Sequence, residues 1–417
     1  MEKILVKKSM GLRGNIRVDG SKNSILPILA ATLLSEEECL IHDIPDLQDV
    51  HIMCKLLEEL GAKIEKPEEN TLKISAANIK TCEAPYELIS KMRASFLVMG
   101  PLLARCHNAK VYMPGGCAIG TRPIDLHLKG LKYLGAEINS ESGYVHATTK
   151  MLVGNDIYID FPSVGATENI IMAATLAEGE TILENAAEEP EIVDLANFIN
   201  SMGGNIIGAG TKTIRIRGVK KLHKTEHTVI PDRIEAGTYM VAAAATGGHV
   251  IVENVVPSHL QPVVAKLREA GARVEEFDDK VRVVSDGEIK PVDIKTLPYP
   301  GFPTDMQAQF MAMLSVADGT SIIPISKVAL GFLAGGGEYG KAYGNPPAEM
   351  AFGGGSGAGV SVNPVGFLVV HGEHIRFMPV EGQMAMEKLV DLAPGLISQV
   401  QGMFKKNNKS NADEIEV

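Results

Sequence analysis

The hydrophobic positions of this chain follow a pattern that repeats four times. A phrase of the form Leu-Gly-Ala recurs at intervals of 68 to 74 residues. Each copy ends an amphipathic helical pattern and is followed by an alternating, strand-like one. The copies are residues 60–64, 134–138, 202–206 and 270–274. Since the glycine of each copy stands where a helix C-terminus takes a left-handed residue, we expect four related α/β units.

Each unit is predicted to run helix, strand, helix, strand, strand. Some 35 to 40 residues before each Leu-Gly-Ala phrase lies a helical pattern that is apolar nearly all round, which is typical of a helix buried on every side. These segments are residues 23–34, 94–104, 168–177 and 234–245. A fifth unit begins with a helix at 305–315, but glycine-rich sequence replaces the phrase that is due near residue 340.

Composition and charge exclude several classes of protein. A length of 417 residues suggests two or three domains, and 45% hydrophobic residues are ordinary for a soluble globular protein. The net charge of −11 argues against a nucleic-acid partner. No apolar run is long enough for a membrane span, and the charged first residues exclude a signal peptide. Five irregularly spaced cysteines indicate neither a metal site nor a disulfide framework, and they fit a reduced, cytoplasmic compartment.

Candidate chemistry centres on the run Pro114-Gly115-Gly116-Cys117-Ala118-Ile119-Gly120-Thr121-Arg122-Pro123. It places a thiol on a glycine-rich turn near an arginine, and a cysteine beside cationic groups becomes a proton donor or nucleophile near neutral pH. An inert buried cysteine is the alternative. Lys22, at the start of the first apolar helix, is a point charge suited to phosphate or else a solvated surface lysine. Asp305 is a candidate general base; in the alternative, Thr304 or Asp305 is a plain helix N-cap.

Five motifs in this order resemble those of the UDP-N-acetylglucosamine 1-carboxyvinyltransferase family of enolpyruvyl transferases. They are Gly20-Ser21-Lys22-Asn23, Met92-Arg93-Ala94-Ser95, the run 114–123, the Pro-Asp-Arg-Ile-Glu-Ala-Gly-Thr run 231–238 and the run 301–310. The resemblance covers residues 1–323. It implies an α/β fold, the two-domain inside-out α/β barrel of six units, with one domain at 22–230 and an incomplete first domain at 1–21 and 231–323.

The same resemblance implies a reaction and roles for individual residues. The enolpyruvyl group of phosphoenolpyruvate would pass to the 3-hydroxyl of UDP-N-acetylglucosamine with release of phosphate, the first committed step of peptidoglycan synthesis. Cys117 would protonate C3 of phosphoenolpyruvate and be the target of fosfomycin, Asp305 would be the base for the sugar hydroxyl, and Lys22 would hold phosphate. The other matching positions are Asn23 for both ligands, Arg93, Arg122, Pro123, Ile124, Asp125 and Leu126 for the sugar nucleotide, and Ser163, Val164 and Gly165 for its diphosphate. The resemblance implies no metal and no cofactor.

The resemblance stops after Ile323. The family's later arginines, which clamp phosphoenolpyruvate, have no counterpart here, since Arg376 is the only arginine beyond that point and lies in no matching context. Residues 318–405 instead resemble the GerW/YtfJ family of small sporulation proteins, which implies a glycine-rich β segment over 324–405 with a C-terminal helix at 384–404. Residues 406–417 are predicted to be disordered. The chain is thus interpreted as a fusion or chimera with little or no turnover; the alternative is a non-catalytic sugar-nucleotide-binding protein with a sporulation-related tail.

Overall fold

The computed structural model describes residues 11–90, 92–113, 124–141, 143–325, 366–371 and 374–379. The helices are α1 (Lys22–Ala31), α2 (Gln48–Leu60), α3 (Tyr86–Ile89), α4 (Met99–Cys106), α5 (Asp125–Tyr133), α6 (Val164–Ala174), α7 (Pro190–Ser201), α8 (Arg233–Ala245), α9 (Gln261–Glu269) and α10 (Gln307–Leu314). Short 3-10 helices occupy Thr32–Leu34, Arg93–Val98, Pro257–Leu260 and Thr304–Met306. The strands are β1 (Arg13–Arg17), β2 (Glu38–His42), β3 (Lys63–Glu68), β4 (Thr71–Ser75), β5 (Glu83–Ala84), β6 (Asn108–Tyr112), β7 (Glu137–Glu141), β8 (Tyr144–Thr148), β9 (Asp156–Tyr158), β10 (Glu180–Glu184), β11 (Ile206–Ile207), β12 (Thr213–Arg217), β13 (Thr225–Thr228), β14 (His249–Glu253), β15 (Arg273–Glu276), β16 (Lys280–Val284), β17 (Thr320–Ile325), β18 (Gly366–His371) and β19 (His374–Pro379).

Four sheets share one topology, and each is built around one repeat. Their strand orders are β13-β2-β4-β3, β5-β6-β8-β7, β9-β10-β12-β11 and β1-β14-β16-β15. In each sheet, the first strand of the unit has two neighbours. One is the third strand of the same unit, which runs antiparallel to it, and the other is a parallel strand from outside the unit. The predicted order of helix, strand, helix, strand, strand is therefore confirmed in all four units.

The glycines of the Leu-Gly-Ala phrases have the backbone conformation that the sequence predicts. Gly61, Gly135, Gly203 and Gly271 have φ angles of 114°, 91°, 97° and 103°. They follow α2, α5, α7 and α9, where the chain turns back into the second strand of its unit. A side chain at these positions would be strained, so the glycine in each copy is a requirement of the backbone.

Buried apolar side chains form two separate clusters. The middle core contains residues between Ile25 and Val229, including those of α1, α4 and α6. The outer core contains Val18 and residues between Ala236 and Ile323, including those of α8 and α10. The chain passes between the two cores twice, in adjacent segments joined by a β-bridge between Gly20 and Pro231. We call the paired segments 19–21 and 230–232 the crossover.

The fifth sheet departs from the pattern of the other four. Its order is β17-β18-β19, so β17 pairs directly with β18, the strand that follows it among the described residues. In the complete units, the third strand occupies that position. The two strands β18 and β19 belong to the part that resembles the sporulation proteins, whereas the glycine-rich run 353–359, the predicted helix 384–404 and the tail 406–417 lie outside the described residues. In the described part of the chain, no helix is long and apolar enough to cross a membrane.

Candidate functional site

Lys22 lies at the crossover, where the first helices of the two cores meet. It is the first residue of α1, and its backbone N–H donates to Oδ2 of Asp232 over 3.1 Å. The other oxygen of that carboxylate accepts from the backbone N–H groups of Ile234 (2.8 Å) and Glu235 (3.1 Å) and caps α8. One carboxylate therefore ties the start of α1 to the start of α8.

The Lys22 side chain itself is only loosely engaged. Its ammonium nitrogen lies 3.7 Å from Oδ2 of Asp49, and the side chain is 46% exposed. An exposed ion pair of this length contributes about 1 kcal/mol at most. The ammonium is accordingly available to an anionic ligand at the crossover.

A buried carboxylate fixes the crossover to the middle core. Asp194, on α7, is buried and accepts hydrogen bonds from the hydroxyl of Ser24 and from the backbone N–H of Ile230 (3.3 Å). His227 Nε2 lies 2.9 Å from its second oxygen. These contacts join α1, α7 and the second crossover segment, so the position of Lys22 depends on them.

A buried ion pair connects the two cores directly. Arg233, the first residue of α8, places Nε 3.0 Å and Nη2 3.4 Å from the two carboxylate oxygens of Glu191 on α7. The side chains are 10% and 3% exposed. The guanidinium carbon also lies 5.6 Å from the centre of the Tyr299 ring. This fork-like pairing is the strong, geometrically specific form of an arginine–carboxylate contact.

Two further carboxyl groups surround that pair. The pKa of Glu168 is raised well above its usual value, first by burial and then by the charges of Glu191 and Glu189. The pKa of Glu189 is also raised, mainly by burial, although the backbone N–H of Tyr299 donates to it. The charge of Arg233 acts in the opposite direction on Glu189 and lowers its pKa, so it opposes part of the repulsion among these carboxyl groups.

The segments that are predicted to bind the sugar nucleotide converge within the middle core. Ser163 is the N-cap of α6, with its hydroxyl accepting from the backbone N–H of Ala166 (3.4 Å), and Val164 and Gly165 begin that helix. A Cβ at Gly165 would lie 3.1 Å from Cε1 of His127, so α5 passes directly against this turn. Ile124 immediately precedes α5, and Asp125 and Leu126 begin it.

Asn169 joins these segments to the helix that starts at Arg93. Its amide donates to the carbonyl of Phe96 (3.1 Å), approaches Nδ1 of His127 (3.0 Å) and accepts from the N–H of Gly100 (2.7 Å). His127 meets Phe96 edge-on, with ring centres 5.3 Å apart. The buried Asn169 amide thus contacts the segments that follow residues 93–95 and 124–126, and it lies on the helix that residues 163–165 begin. Cys117, Arg122 and Pro123 lie outside the described residues, as does the Arg93 side chain.

Asp305 lies in the part of the chain that forms the outer core. It is the second residue of the 3-10 helix Thr304–Met306 and is exposed. The neighbouring Met306 packs on α8, where a Cβ at Gly237 would lie 2.9 Å from its sulfur. The N-cap alternative for Thr304 and Asp305 is wrong, because the N-cap is Pro303 and neither side chain caps the helix.

Sequence reasoning missed the polar contacts that hold the crossover. It assigned no role to Asp194, Glu191 or Asp232, although the Pro190-Glu191 helix start and the 231–238 motif were visible signals. In the described part of the chain, no group of three His, Cys, Asp or Glu side chains could hold a metal ion.

Known proteins resemble this chain in two stretches. Residues 6–327 match the family model described as EPSP synthase (3-phosphoshikimate 1-carboxyvinyltransferase). Residues 314–398 match the model of sporulation protein YtfJ. The two matches overlap near the point where the first resemblance was expected to end.

Individual relatives agree with the first match. UDP-N-acetylglucosamine 1-carboxyvinyltransferase 1 of Caldanaerobacter subterraneus subsp. tengcongensis is 62% identical over 321 residues, which are 77% of each chain. The corresponding enzyme of Finegoldia magna is 57% identical over 78% of this chain and 77% of its own. Among solved structures, the enolpyruvyl transferase NikO from Streptomyces tendae has a TM-score of 0.68 at 22% identity, over 76% of this chain and 75% of that one. EPSP synthase from Acinetobacter baumannii has a TM-score of 0.60 at 20% identity, over 81% and 80%. These structures establish the inside-out α/β fold.

Proposed function

This chain belongs to the EPSP synthase family over residues 6–327, and we propose that this part transfers the enolpyruvyl group of phosphoenolpyruvate to the 3-hydroxyl of UDP-N-acetylglucosamine, releasing phosphate. The observation that carries the proposal is the name shared by its relatives, which are 55% to 62% identical to it. The reaction is a step of peptidoglycan synthesis.

The crossover supports a phosphate-holding role for Lys22. Its ammonium is half exposed at the start of α1, and helix N-termini favour anions. Asn23 follows it on the same helix. We place the phosphate of phosphoenolpyruvate against these two residues, with the Asp232 carboxylate keeping the helix start in position.

The acid and the base of the reaction are assigned to Cys117 and Asp305. The Cys117 thiol donates a proton to C3 of the enol while the sugar oxygen attacks C2, and Asp305 takes the proton from that oxygen. Loss of phosphate from C2 and of a proton from C3 then restores the double bond. Fosfomycin would block the reaction at Cys117.

The sugar nucleotide is assigned to the middle core. Residues 124–126 and 163–165 begin two neighbouring helices, and residues 93–95 begin a third. Backbone N–H groups at such helix starts, together with Arg93 and Arg122, suit a diphosphate. Pro123 and Ile124 complete the uridine side of this site.

We further propose that turnover by this chain is weak. The arginine clamp that the family carries after the fifth unit is missing, and each lost clamping group lowers the rate about 10²-fold or more. A sporulation-type segment stands in its place. The thiols of Cys39, Cys54, Cys82 and Cys106 are free, which supports a reducing, cytoplasmic location.

Calorimetry with UDP-N-acetylglucosamine tests the site separately from turnover. We expect measurable binding that Arg122→Ala weakens by about tenfold or more, as for loss of a charge-assisted hydrogen bond. Arg273→Ala is the control, because Arg273 is 76% exposed and belongs to the outer core region. A folded protein that shows no heat of binding would refute the assignment. Any phosphate release that is detected should disappear in Cys117→Ser and in Asp305→Ala.

A further inference from the structure

The proposed reaction needs side chains from both cores at one point. The sugar nucleotide is assigned to the middle-core segments 124–126 and 163–165, whereas Asp305 belongs to the part of the chain that forms the outer core. A general base must lie within about 3 Å of the hydroxyl whose proton it takes. The crossover joins the cores at 19–21 and 230–232 but does not by itself set the position of Asp305, which comes later in the chain. A further contact between the cores is therefore needed to hold Asp305 in register with the sugar nucleotide.

A short turn directly precedes Asp305. The N–H of Leu297 donates to the carbonyl oxygen of Phe302 over 3.0 Å and closes this turn. Phe302 is 5% exposed and meets Phe310 of α10 edge-on, with ring centres 4.9 Å apart. Asp305 follows Phe302 after only two further residues, so its backbone lies between the turn and α10. We call residues 297–302 the proline turn.

The tip of the proline turn reaches the ion pair that connects the two cores. Among residues 297–300 only Tyr299 is partly buried, and the other three are exposed. The centre of its ring lies 5.6 Å from the guanidinium carbon of Arg233, the first residue of α8, and an arginine at such a distance is attracted to a tyrosine ring. The backbone N–H of Tyr299 also donates to Glu189, which precedes α7 of the middle core. The proline turn is thus attached through its tip to the place where the two cores meet.

Arg233 is fixed in turn by the middle core. Its guanidinium is bonded to both carboxylate oxygens of Glu191 on α7, and the two side chains are 10% and 3% exposed. Helix α7 packs against α1, which begins at Lys22, and against α6, which begins at Val164. The contacts therefore run without a break from the helices assigned to the substrates, through the ion pair, to the proline turn.

We propose that Arg233 is a positioning residue for Asp305. Bound to Glu191 of the middle core, its guanidinium holds the Tyr299 ring, and the proline turn passes this constraint on to the Asp305 carboxylate. This role rests on the proposed function, because Asp305 needs such a register only if it takes the proton of the sugar hydroxyl. A displacement of about 1 Å at a reacting group costs about 10²-fold in rate. Arg233 thus affects turnover without touching either substrate.

Turnover of variants at Tyr299 tests this role in the full chain. Tyr299→Ala removes the ring, and we expect it to lower kcat for phosphate release about tenfold or more, with the calorimetric affinity for UDP-N-acetylglucosamine nearly unchanged. Tyr299→Phe keeps the ring and should keep the rate. Phe277→Ala is the matched control, because Phe277 is a 54% exposed aromatic residue in the turn between β15 and β16. Equal kcat in Tyr299→Ala and Tyr299→Phe, or a parallel loss of kcat and affinity, would overturn the proposal.

Hydrogen exchange of the peptide that contains Asp305 gives a second readout, which needs no turnover. We expect residues 304–306 to exchange about tenfold faster in Tyr299→Ala and in Arg233→Lys than in the unaltered chain. Tyr299→Phe and Phe277→Ala should leave this exchange unchanged. Unchanged exchange in Tyr299→Ala and in Arg233→Lys would show that the contact does not hold Asp305. If the exchange responds as expected but the unaltered chain neither binds UDP-N-acetylglucosamine nor releases phosphate, the proposed function fails, and the role of Arg233 in turnover fails with it.

Discussion

Replacing Arg233 by methionine should destabilise the protein far more than loss of an ordinary arginine. The guanidinium is bonded to both oxygens of Glu191, and the two side chains are 10% and 3% exposed. Methionine keeps much of the length of the side chain but leaves the Glu191 carboxylate buried without its cation. Removal of one partner of a buried ion pair costs about 3–5 kcal/mol. The neighbouring side chains of Glu168 and Glu189, whose pKa values are both raised, supply no positive charge to replace the guanidinium, so we expect a loss within that range.

Urea unfolding followed by circular dichroism measures this effect, with Arg273→Met as the control. Arg273 pairs with Glu275 at 2.5 Å but is 76% exposed, and an exposed pair of this kind contributes about 1 kcal/mol at most. The loss of unfolding free energy in Arg233→Lys should lie between the losses in Arg233→Met and Arg273→Met, because lysine keeps the charge but not the fork geometry. The double variant Arg233→Met with Glu191→Gln should recover part of the loss, since no unpaired charge stays buried. If Arg233→Met costs no more than Arg273→Met, the two cores are not coupled by this pair and the reasoning fails.

Three further predictions concern the middle core. Burial raises the pKa of Glu168, so the folded protein holds the proton of this carboxyl group more tightly than the unfolded chain does. The stability that this proton supplies is complete below the unfolded pKa of about 4.3 and is lost as the pH rises towards the folded pKa. The urea midpoint of Glu168→Gln, relative to that of the unaltered chain, should therefore increase between about pH 5 and about pH 8. Gly100→Ala should cost about 1–3 kcal/mol in urea unfolding, because its Cβ would lie 2.5 Å from the backbone oxygen of Asn169, whereas Gly130→Ala should cost less, because the end of a flexible Ile170 side chain can move aside. Limited proteolysis should release a stable fragment near residues 22–230, as expected if the middle core is a domain of its own, and rapid cleavage throughout that span would argue against this division.

Local features of the fold were predictable from the sequence. The Leu-Gly-Ala phrases identified four units, because a helix C-terminus that turns into a strand needs a left-handed residue whatever lies around it. The apolar pattern of residues 23–34 likewise predicted a fully buried helix, and α1 is buried from Ser24 to Ala31. Burial periodicity and turn geometry depend on residues that are close together in the chain, so they can be predicted from a single sequence.

Long-range polar contacts could not be predicted in this way. The pair of Glu191 and Arg233 joins residues 42 positions apart, and Asp232 meets Lys22 across 210 positions. The order of the fifth sheet also depends on pairing between distant strands, which the glycine-rich sequence before β18 does not encode locally. The roles of Cys117, Asp305 and Lys22 came from the resemblance to a family and stay predictions.

The most direct test of the account is the rate of phosphate release from phosphoenolpyruvate and UDP-N-acetylglucosamine, compared between two proteins. One is this chain, and the other carries, in place of everything after Ile323, the corresponding part of the Caldanaerobacter subterraneus relative. The account predicts a rise of about 10²-fold or more in the second protein, because the clamping arginines return. Cys117→Ser should abolish the activity gained. Equal rates in the two proteins, at the level of an ordinary family member, would contradict the account and show that residues 324–417 rebuild the site.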